Sequence, residues 1–133
     1  MAKNKTKFLW QSTVYCKNQL VRAIVTDYAE QHYGITCAEL KKVFPDELQG
    51  GEHHGRTKYD VFDTCDNIYS KDGQGKAPEE RYYMKPDEII CLQDGTNIAV
   101  CREWNINNTR DFVKHARTLG YHIECVENPK VED

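Results

Sequence analysis

The residues with the clearest potential for chemistry are carboxylates on and beside one predicted hairpin. They are Asp87, Glu88, Asp94 and Glu103. Metal-dependent nucleases place carboxylates on a hairpin in this way, so that Mg²⁺ can activate water and stabilise the leaving oxygen. The lysine expected two residues after the last of these acids is replaced here by Asn105. Because the turn itself also explains Asp94, a nuclease is the second hypothesis rather than the first.

Histidine and cysteine give weaker signals for a metal site or a nucleophile. His53 and His54 are adjacent, and with Cys65 they would be soft ligands, but neighbouring histidines rarely reach one tetrahedral ion and no CxxC pair supports them. A cysteine nucleophile with His115 or His122 as its base lacks any local signature. The sequence contains no phosphate-binding GxGxxG or GxxxxGK(S/T), no GxSxG and no HExxH. We therefore expect no catalytic residue, no metal and no cofactor.

Positive charge along the last predicted helix forms the candidate binding surface. Arg110, Lys114 and Arg117 recur at i, i+4 and i+7, a spacing that places them on one helix face. Such a stripe is most often only a solvated face. The functional interpretation is that it contacts nucleic-acid phosphates, with Trp104 or His115 nearby to stack on a base.

The six cysteines are widely spaced, with no short paired spacing that would indicate a disulfide framework. Cysteine is also among the residues most often buried. We predict that all six are reduced and mostly buried. They are Cys16, Cys37, Cys65, Cys91, Cys101 and Cys125.

Two helices are predicted in the first third of the chain. Residues 18–32 carry apolar side chains at helical spacing, and Gly34 follows where helices commonly stop. A second helix is predicted from Cys37 to Phe44. It begins with Thr36 and Glu39 in the reciprocal capping arrangement, and Pro45 limits its end.

Asp94-Gly95 lies between two apolar runs and predicts a hairpin with a two-residue type I′ turn. That turn would set Cys91 opposite Ile98 and make both hairpin faces apolar, so the hairpin is predicted to be sandwiched inside the fold. In this register Cys91 and Cys101 point to opposite sides and cannot form a disulfide.

The last helix follows the hairpin. Asn107, Asn108 or Thr109 can cap it, and Gly120 supplies its left-handed end. Its apolar stripe is Phe112, Val113, Ala116 and Leu119. Residues 121–126 alternate with period two and predict a final strand.

The remaining segments are less regular. Residues 59–69 fit a short helix, a strand or a strand leading into a helix, and the choice stays open. Residues 49–55 and 70–78 are predicted loops, because they are rich in glycine and polar residues. Residues 1–7 read as a flexible basic leader and 127–133 as a polar tail.

Length and composition favour a single domain spanning 1–133. Apolar residues make up 39% and charged residues 29%, enough bulk for one core. The net charge of −3 argues against a protein that coats nucleic acid through bulk positive potential. No run approaches the ~20 apolar residues of a membrane span and no secretory signal is visible, so we expect a cytoplasmic protein without membrane contact.

Three segments of the chain resemble a small uncharacterised bacterial module, some members of which are linked to restriction or phage-defence genes. They are ELKKVFPDELQG from Glu39, IICLQDGTNIAVCREWNINN from Ile89 and FVKHARTLGYHI from Phe112. The shared features are structural: a capped helix, a hairpin and a second capped helix. The resemblance transfers no catalytic residue, and likeness of fold does not establish function.

These observations predict a small α+β domain with two N-terminal helices, a central antiparallel β-hairpin sheet, a C-terminal helix and a final strand. The first functional hypothesis is a non-catalytic module that binds nucleic acid or a nucleic-acid-processing partner. The second is a metal-dependent nuclease-like enzyme. The third is a protein interaction or oligomerisation domain, and the oligomeric state stays open.

Overall fold

A computed structural model describes residues 6–49, 61–71 and 81–126. Within these residues the chain has the predicted α+β class, with four α-helices and two antiparallel sheets of three strands. The strands are β1 (Lys7–Trp10), β2 (Thr13–Tyr15), β3 (Phe62–Thr64), β4 (Ile90–Cys91), β5 (Asn97–Val100) and β6 (Glu124–Val126). The helices are α1 (Lys17–Gln31), α2 (Cys37–Val43), α3 (Cys65–Lys71) and α4 (Ile106–Thr118), with a short 3₁₀ helix at Asp46–Gln49.

The first sheet has the order β2-β1-β6. Phe8 and Trp10 of β1 are buried and direct the inner face of this sheet toward the core. The β1–β2 hairpin was not predicted from the sequence. Lys7 belongs to β1, so the leader predicted at residues 1–7 ends before this residue. Residues 1–5 lie outside the described part of the chain.

The second sheet has the order β3-β5-β4, and its hairpin differs in register from the prediction. Ile90 lies opposite Ile98, and Cys91 lies opposite Asn97 rather than Ile98. The connection has three residues. Gly95 N donates to Leu92 O at 3.0 Å, and Leu92 N donates to Thr96 O at 2.8 Å.

The turn residues explain why the register is shifted by one. Gly95 has φ +92°, whereas Asp94 does not have positive φ. A type I′ turn needs positive φ at both central positions, while a type I turn followed by a left-handed glycine in a bulge needs it at only one. Asp94 instead uses its carboxylate to accept a hydrogen bond from Thr96 N at 2.9 Å.

The corrected register changes what each hairpin face contacts. Ile98 and Val100 enter the main core, while Ala99 and Cys101 pack on the opposite side in a smaller cluster with α3. The predicted burial on both faces is therefore correct for β5. It is wrong for β4, an edge strand whose Cys91 is exposed. Cys91 lies on the same face as Cys101, not on the opposite one, because it pairs with Asn97.

The two predicted N-terminal helices are confirmed as α1 and α2. Leu20, Val21, Ile24 and Val25 form the buried stripe of α1. At the start of α2, Thr36 Oγ1 accepts from Glu39 N at 3.1 Å. In return, Thr36 N donates to Glu39 Oε1 at 3.0 Å, so the capping box is complete.

The last helix, α4, is confirmed with a different cap. Asn105 Oδ1 accepts from Asn108 N at 2.8 Å, so Asn105 caps the helix instead of residues 107–109. Asn108 is itself buried. At the other end Gly120 has φ +101°, and Tyr121 N donates to Ala116 O at 3.2 Å, as the predicted left-handed helix end requires.

The open segment at 59–69 resolves as a strand leading into a helix, β3 followed by α3, from Val61 onward. Most of the predicted loops at 49–55 and 70–78, and the whole tail at 127–133, lie outside the described residues. The final strand is shorter than predicted and covers Glu124–Val126.

All six cysteines are free, but the prediction that most are buried is wrong. Of the six, only Cys65 and Cys101 are buried, and Cys37 is half-buried. Burial also raises the pKa of the Cys37 and Cys65 thiols, so both are protonated near neutral pH. The exposed thiols are Cys16, Cys91 and Cys125.

The main core lies where α1 and α4 pack against the two sheets. Phe44 and Phe112 stack with ring centroids 5.6 Å apart, joining the end of α2 to α4. Among the residues that the structure describes, no helix has the length and apolar character needed to cross a membrane.

Candidate binding groove between α1 and β4

The predicted basic stripe of α4 does lie on its exposed face, since Arg110, Lys114 and Arg117 are all exposed. Arg117 nevertheless has a structural task. Its Nε and Nη2 atoms donate to the backbone carbonyl of Ile123 at 3.1 and 2.7 Å. It therefore fixes the segment between α4 and β6. Arg110 and Lys114 are the other two exposed residues of the stripe.

Trp104 does not belong to that surface. It is only 5% exposed, its Nε1 donates to Cys101 O at 3.0 Å, and its ring meets Phe112 edge-on at 5.5 Å. His115 is half-buried and packs edge-on against Phe44 at 6.2 Å. The Trp104 ring offers no free face for a nucleic-acid base, so its predicted stacking role is wrong and Trp104 is a core residue.

Three of the four carboxylates of the nuclease hypothesis interact with separate local partners. Glu88 accepts from Lys85 N at 3.2 Å, Asp94 accepts from Thr96 N at 2.9 Å, and Glu103 pairs with Arg81 at 3.3 Å. The bond from Thr96 also lowers the pKa of Asp94. In residues 6–49, 61–71 and 81–126, no three histidine, cysteine or carboxylate side chains are placed to hold a metal ion. His53 and His54 lie outside these ranges.

A groove of about 680 Å³ lies between α1 and the chain around β4. Its volume falls in the range of ligand sites, roughly 300–1,000 Å³. One wall is a face of α1 and the residues just after it: Thr26, Ala29, Glu30 and Tyr33. The other wall is the continuous segment 89–93. The groove is therefore an open gap between a helix and a strand.

The two walls of the groove meet at both of its ends. At one end Arg22 of α1 donates to the backbone carbonyls of Asp87, at 2.9 Å, and Glu88, at 3.2 Å. At the other end Gly34 lies so close to Gln93 that a Cβ on the glycine would be 3.2 Å from Gln93 Oε1. The width of the groove is therefore set by contacts within the fold at each of its ends.

The strand wall presents a backbone edge that is unpaired among the strands the structure describes. Within residues 6–49, 61–71 and 81–126, β4 lies at the edge of its sheet and pairs with β5 alone. Leu92 N bonds to Thr96 O on the β5 side, and backbone groups alternate in direction along a strand. The N–H and C=O of Cys91 therefore point away from β5, and Cys91 lines the groove. The groove thus contains a donor and an acceptor in the arrangement that pairs with another strand.

The groove also carries two exposed side chains that sequence reasoning missed, Tyr33, which is 81% exposed, and Glu30. Asp87, singled out from the sequence as a possible nuclease carboxylate, is exposed in the groove as well. One sequence signal was present: Tyr33 lies outside the buried stripe of α1 and directly precedes Gly34, where the helix has ended. The core does not require an aromatic residue at such a position, which makes Tyr33 a candidate contact residue.

Comparisons of the chain with protein-family models, curated proteins and solved structures gave no match. The functional argument therefore rests on the groove and on the α4 surface.

Proposed function

We propose that this chain is a non-catalytic binding module whose groove accepts an extended segment of a protein partner as an added strand. One observation carries the proposal: the unpaired edge of β4 at Cys91 faces a groove whose opposite wall is α1. This is the protein-interaction hypothesis from the sequence. Like the first hypothesis it assigns no catalysis, but the ligand is a protein segment instead of nucleic acid.

The physical basis is strand addition. An extended peptide gains affinity from main-chain hydrogen bonds to a sheet edge, and pockets for its alternate side chains supply specificity. One peptide residue can exchange both hydrogen bonds with Cys91, as in a hydrogen-bonded pair of an antiparallel ladder. The extended part of the strand wall, residues 89–92 around β4, spans roughly 13 Å, which accommodates about four residues of a partner.

The experiment begins with selection of binders from a phage library of random dodecapeptides on the wild-type protein. The selected peptide is synthesised and its Kd is measured for Cys91→Pro and for the matched variant Cys91→Ser. Proline removes the outward N–H of Cys91 and is tolerated on an edge strand where that N–H does not join the ladder. Serine keeps the backbone donor and changes only the side chain.

We expect Cys91→Pro to lose about tenfold or more in affinity, the scale of one to two main-chain hydrogen bonds, while Cys91→Ser binds as the wild type does. Urea unfolding of both variants establishes that the comparison is made on folded protein. Equal affinity of the two variants, or a selection that yields no peptide dependent on the groove, would refute the proposal. Tyr33→Ala gives a second test, with weaker peptide binding expected because its ring is exposed in the groove.

The second candidate function is nucleic-acid binding, favoured by the exposure of Arg110 and Lys114 on α4. Its test is binding to short DNA and RNA across a salt series. Changing both residues to Gln would flatten the salt dependence by up to about two units of slope if both contact phosphates. Arg117 is left unchanged because it bonds to Ile123 O. Absence of wild-type binding at low salt, or equal slopes, would remove this candidate.

A further inference from the structure

We infer that the segment which this groove binds is basic, with lysine or arginine side chains that pair with Glu30 and Asp87. The inference rests on the proposed function and specifies its ligand. The two acids stand on opposite walls, Glu30 on α1 and Asp87 on the chain just before β4. Each wall of the groove therefore offers one negative charge to a partner.

The charge that the groove offers to a partner is negative because its cation is already engaged. Among the described residues that line the groove, Arg22 is the only lysine or arginine. Its Nη2 and Nε atoms are bonded to the carbonyls of Asp87 and Glu88, and its guanidinium lies 5.9 Å from the ring centroid of Tyr83. Arg22 uses backbone carbonyls rather than the Asp87 carboxylate, so that carboxylate stays exposed at the rim.

The two acids are separated along the groove. Asp87 lies beside Arg22, which is bonded to its carbonyl. Glu30 follows Arg22 by eight residues of α1, which is about 12 Å along the helix axis. One long cationic side chain does not span that distance, so a segment with two cations satisfies both acids. Tyr33 lies beyond Glu30 toward Gly34 and offers an aromatic face to an apolar or cationic side chain there.

Exposed carboxylates favour a basic partner by complementarity and by faster association, and both effects weaken with salt. A strand edge alone does not select for charge, because main-chain hydrogen bonds are the same for every sequence. The composition of bound peptides therefore reports on Glu30 and Asp87 separately from the edge at Cys91.

The test uses three synthetic peptides that share the sequence selected on the wild type, with lysine, glutamine or glutamate at its charged positions. Each is measured against the wild type, the double variant Glu30→Gln/Asp87→Asn and the matched control Glu47→Gln/Glu124→Gln. The control removes two exposed acids that are outside the groove lining, so it changes the net charge equally.

We expect the lysine peptide to bind the wild type most tightly and the glutamate peptide least tightly. The groove variant should lose roughly three- to tenfold in affinity for the lysine peptide, the scale of two exposed ion pairs, and the control variant should not. The groove variant should also bind the lysine and glutamine peptides with nearly equal affinity.

Two results would overturn the inference, and they have different consequences. If the lysine and glutamine peptides bind the wild type equally and Cys91→Pro weakens binding about tenfold or more, charge does not select the segment and the proposed function survives. If no peptide binds the wild type even at low salt, the inference and the proposed function both fail. Should either double variant prove unstable, the ranking of the three peptides on the wild type decides the question alone.

Discussion

The two hairpins of this molecule each place a short strand at the edge of a three-stranded sheet, but the surroundings of the two edges differ. In the first sheet β2 is at the edge, and its Val14 is 55% exposed. In the second sheet β4 is at the edge, and it forms one wall of the groove against α1. A strand edge becomes a candidate binding site when a second element stands across a gap of suitable width.

The hairpins also differ in how their turns are built. Gln11 and Ser12 connect β1 to β2 with φ of +52° and +69°, the pattern of a two-residue type I′ turn, although neither is glycine or asparagine. Asp94 and Gly95 have the sequence typical of that turn and instead belong to a three-residue connection. The first turn therefore carries backbone strain that the second avoids.

The largest effect is expected at Trp104, which follows the second hairpin and bonds through its Nε1 to Cys101 O. Trp104→Ala should lower the free energy of unfolding by about 3–5 kcal/mol, because it empties a buried aromatic site. Tyr33→Ala is the matched control, since that aromatic ring is 81% exposed, and it should change stability by less than about 0.5 kcal/mol. Urea denaturation measures both. A Trp104→Ala variant as stable as the wild type would contradict the assignment of Trp104 to the core.

The next effect concerns the turn that sets the register of β4. Gly95→Val should cost about 1–3 kcal/mol, because valine is strained at φ +92° even though no atom lies within 4 Å of the added Cβ. Gly95→Asn should cost less, since asparagine tolerates this conformation. Thermal or urea unfolding checks the ranking. Equal stability of both variants would mean that the turn does not need a left-handed residue.

The smallest effect has the opposite sign and lies in the first hairpin. Ser12→Gly should stabilise the protein by up to about 1 kcal/mol, because glycine relieves the positive φ of +69° at this position. Ser12→Ala, which keeps a Cβ, is the control and should not stabilise. A Ser12→Gly variant that is less stable than the wild type would contradict the strained-turn interpretation of the first hairpin.

Local sequence signals predicted most of the helices and the position of the second hairpin. The Thr36–Glu39 capping box and Gly120 succeeded because each describes interactions within one or two turns of helix. Asp94-Gly95 located the hairpin but not its register, since the same dipeptide suits both a two-residue turn and a three-residue connection with a bulge. The β1–β2 hairpin was missed because Gln11-Ser12 has no turn signature.

The candidate site could not be predicted because its parts are distant in sequence. Arg22 holds the carbonyl of Asp87 across a separation of 65 residues, and that contact creates one end of the groove. The basic stripe of α4 was predictable as an exposed face, but the bonds from Arg117 to Ile123 O and the burial of Trp104 depend on tertiary packing. Residue type and helical spacing do not encode either feature.

The central claim is that Cys91 carries an open strand edge that a partner can pair with, and amide hydrogen exchange tests it most directly. Val14 is the internal reference, because a two-residue connection after Trp10 makes Trp10 and Thr13 the hydrogen-bonded pair and turns the Val14 amide outward as well. We predict that both amides exchange rapidly in the free protein. With saturating selected peptide, Cys91 exchange should slow by at least about tenfold while Val14 is unchanged. Protection of Cys91 in the free protein, or no added protection on binding, would contradict the account.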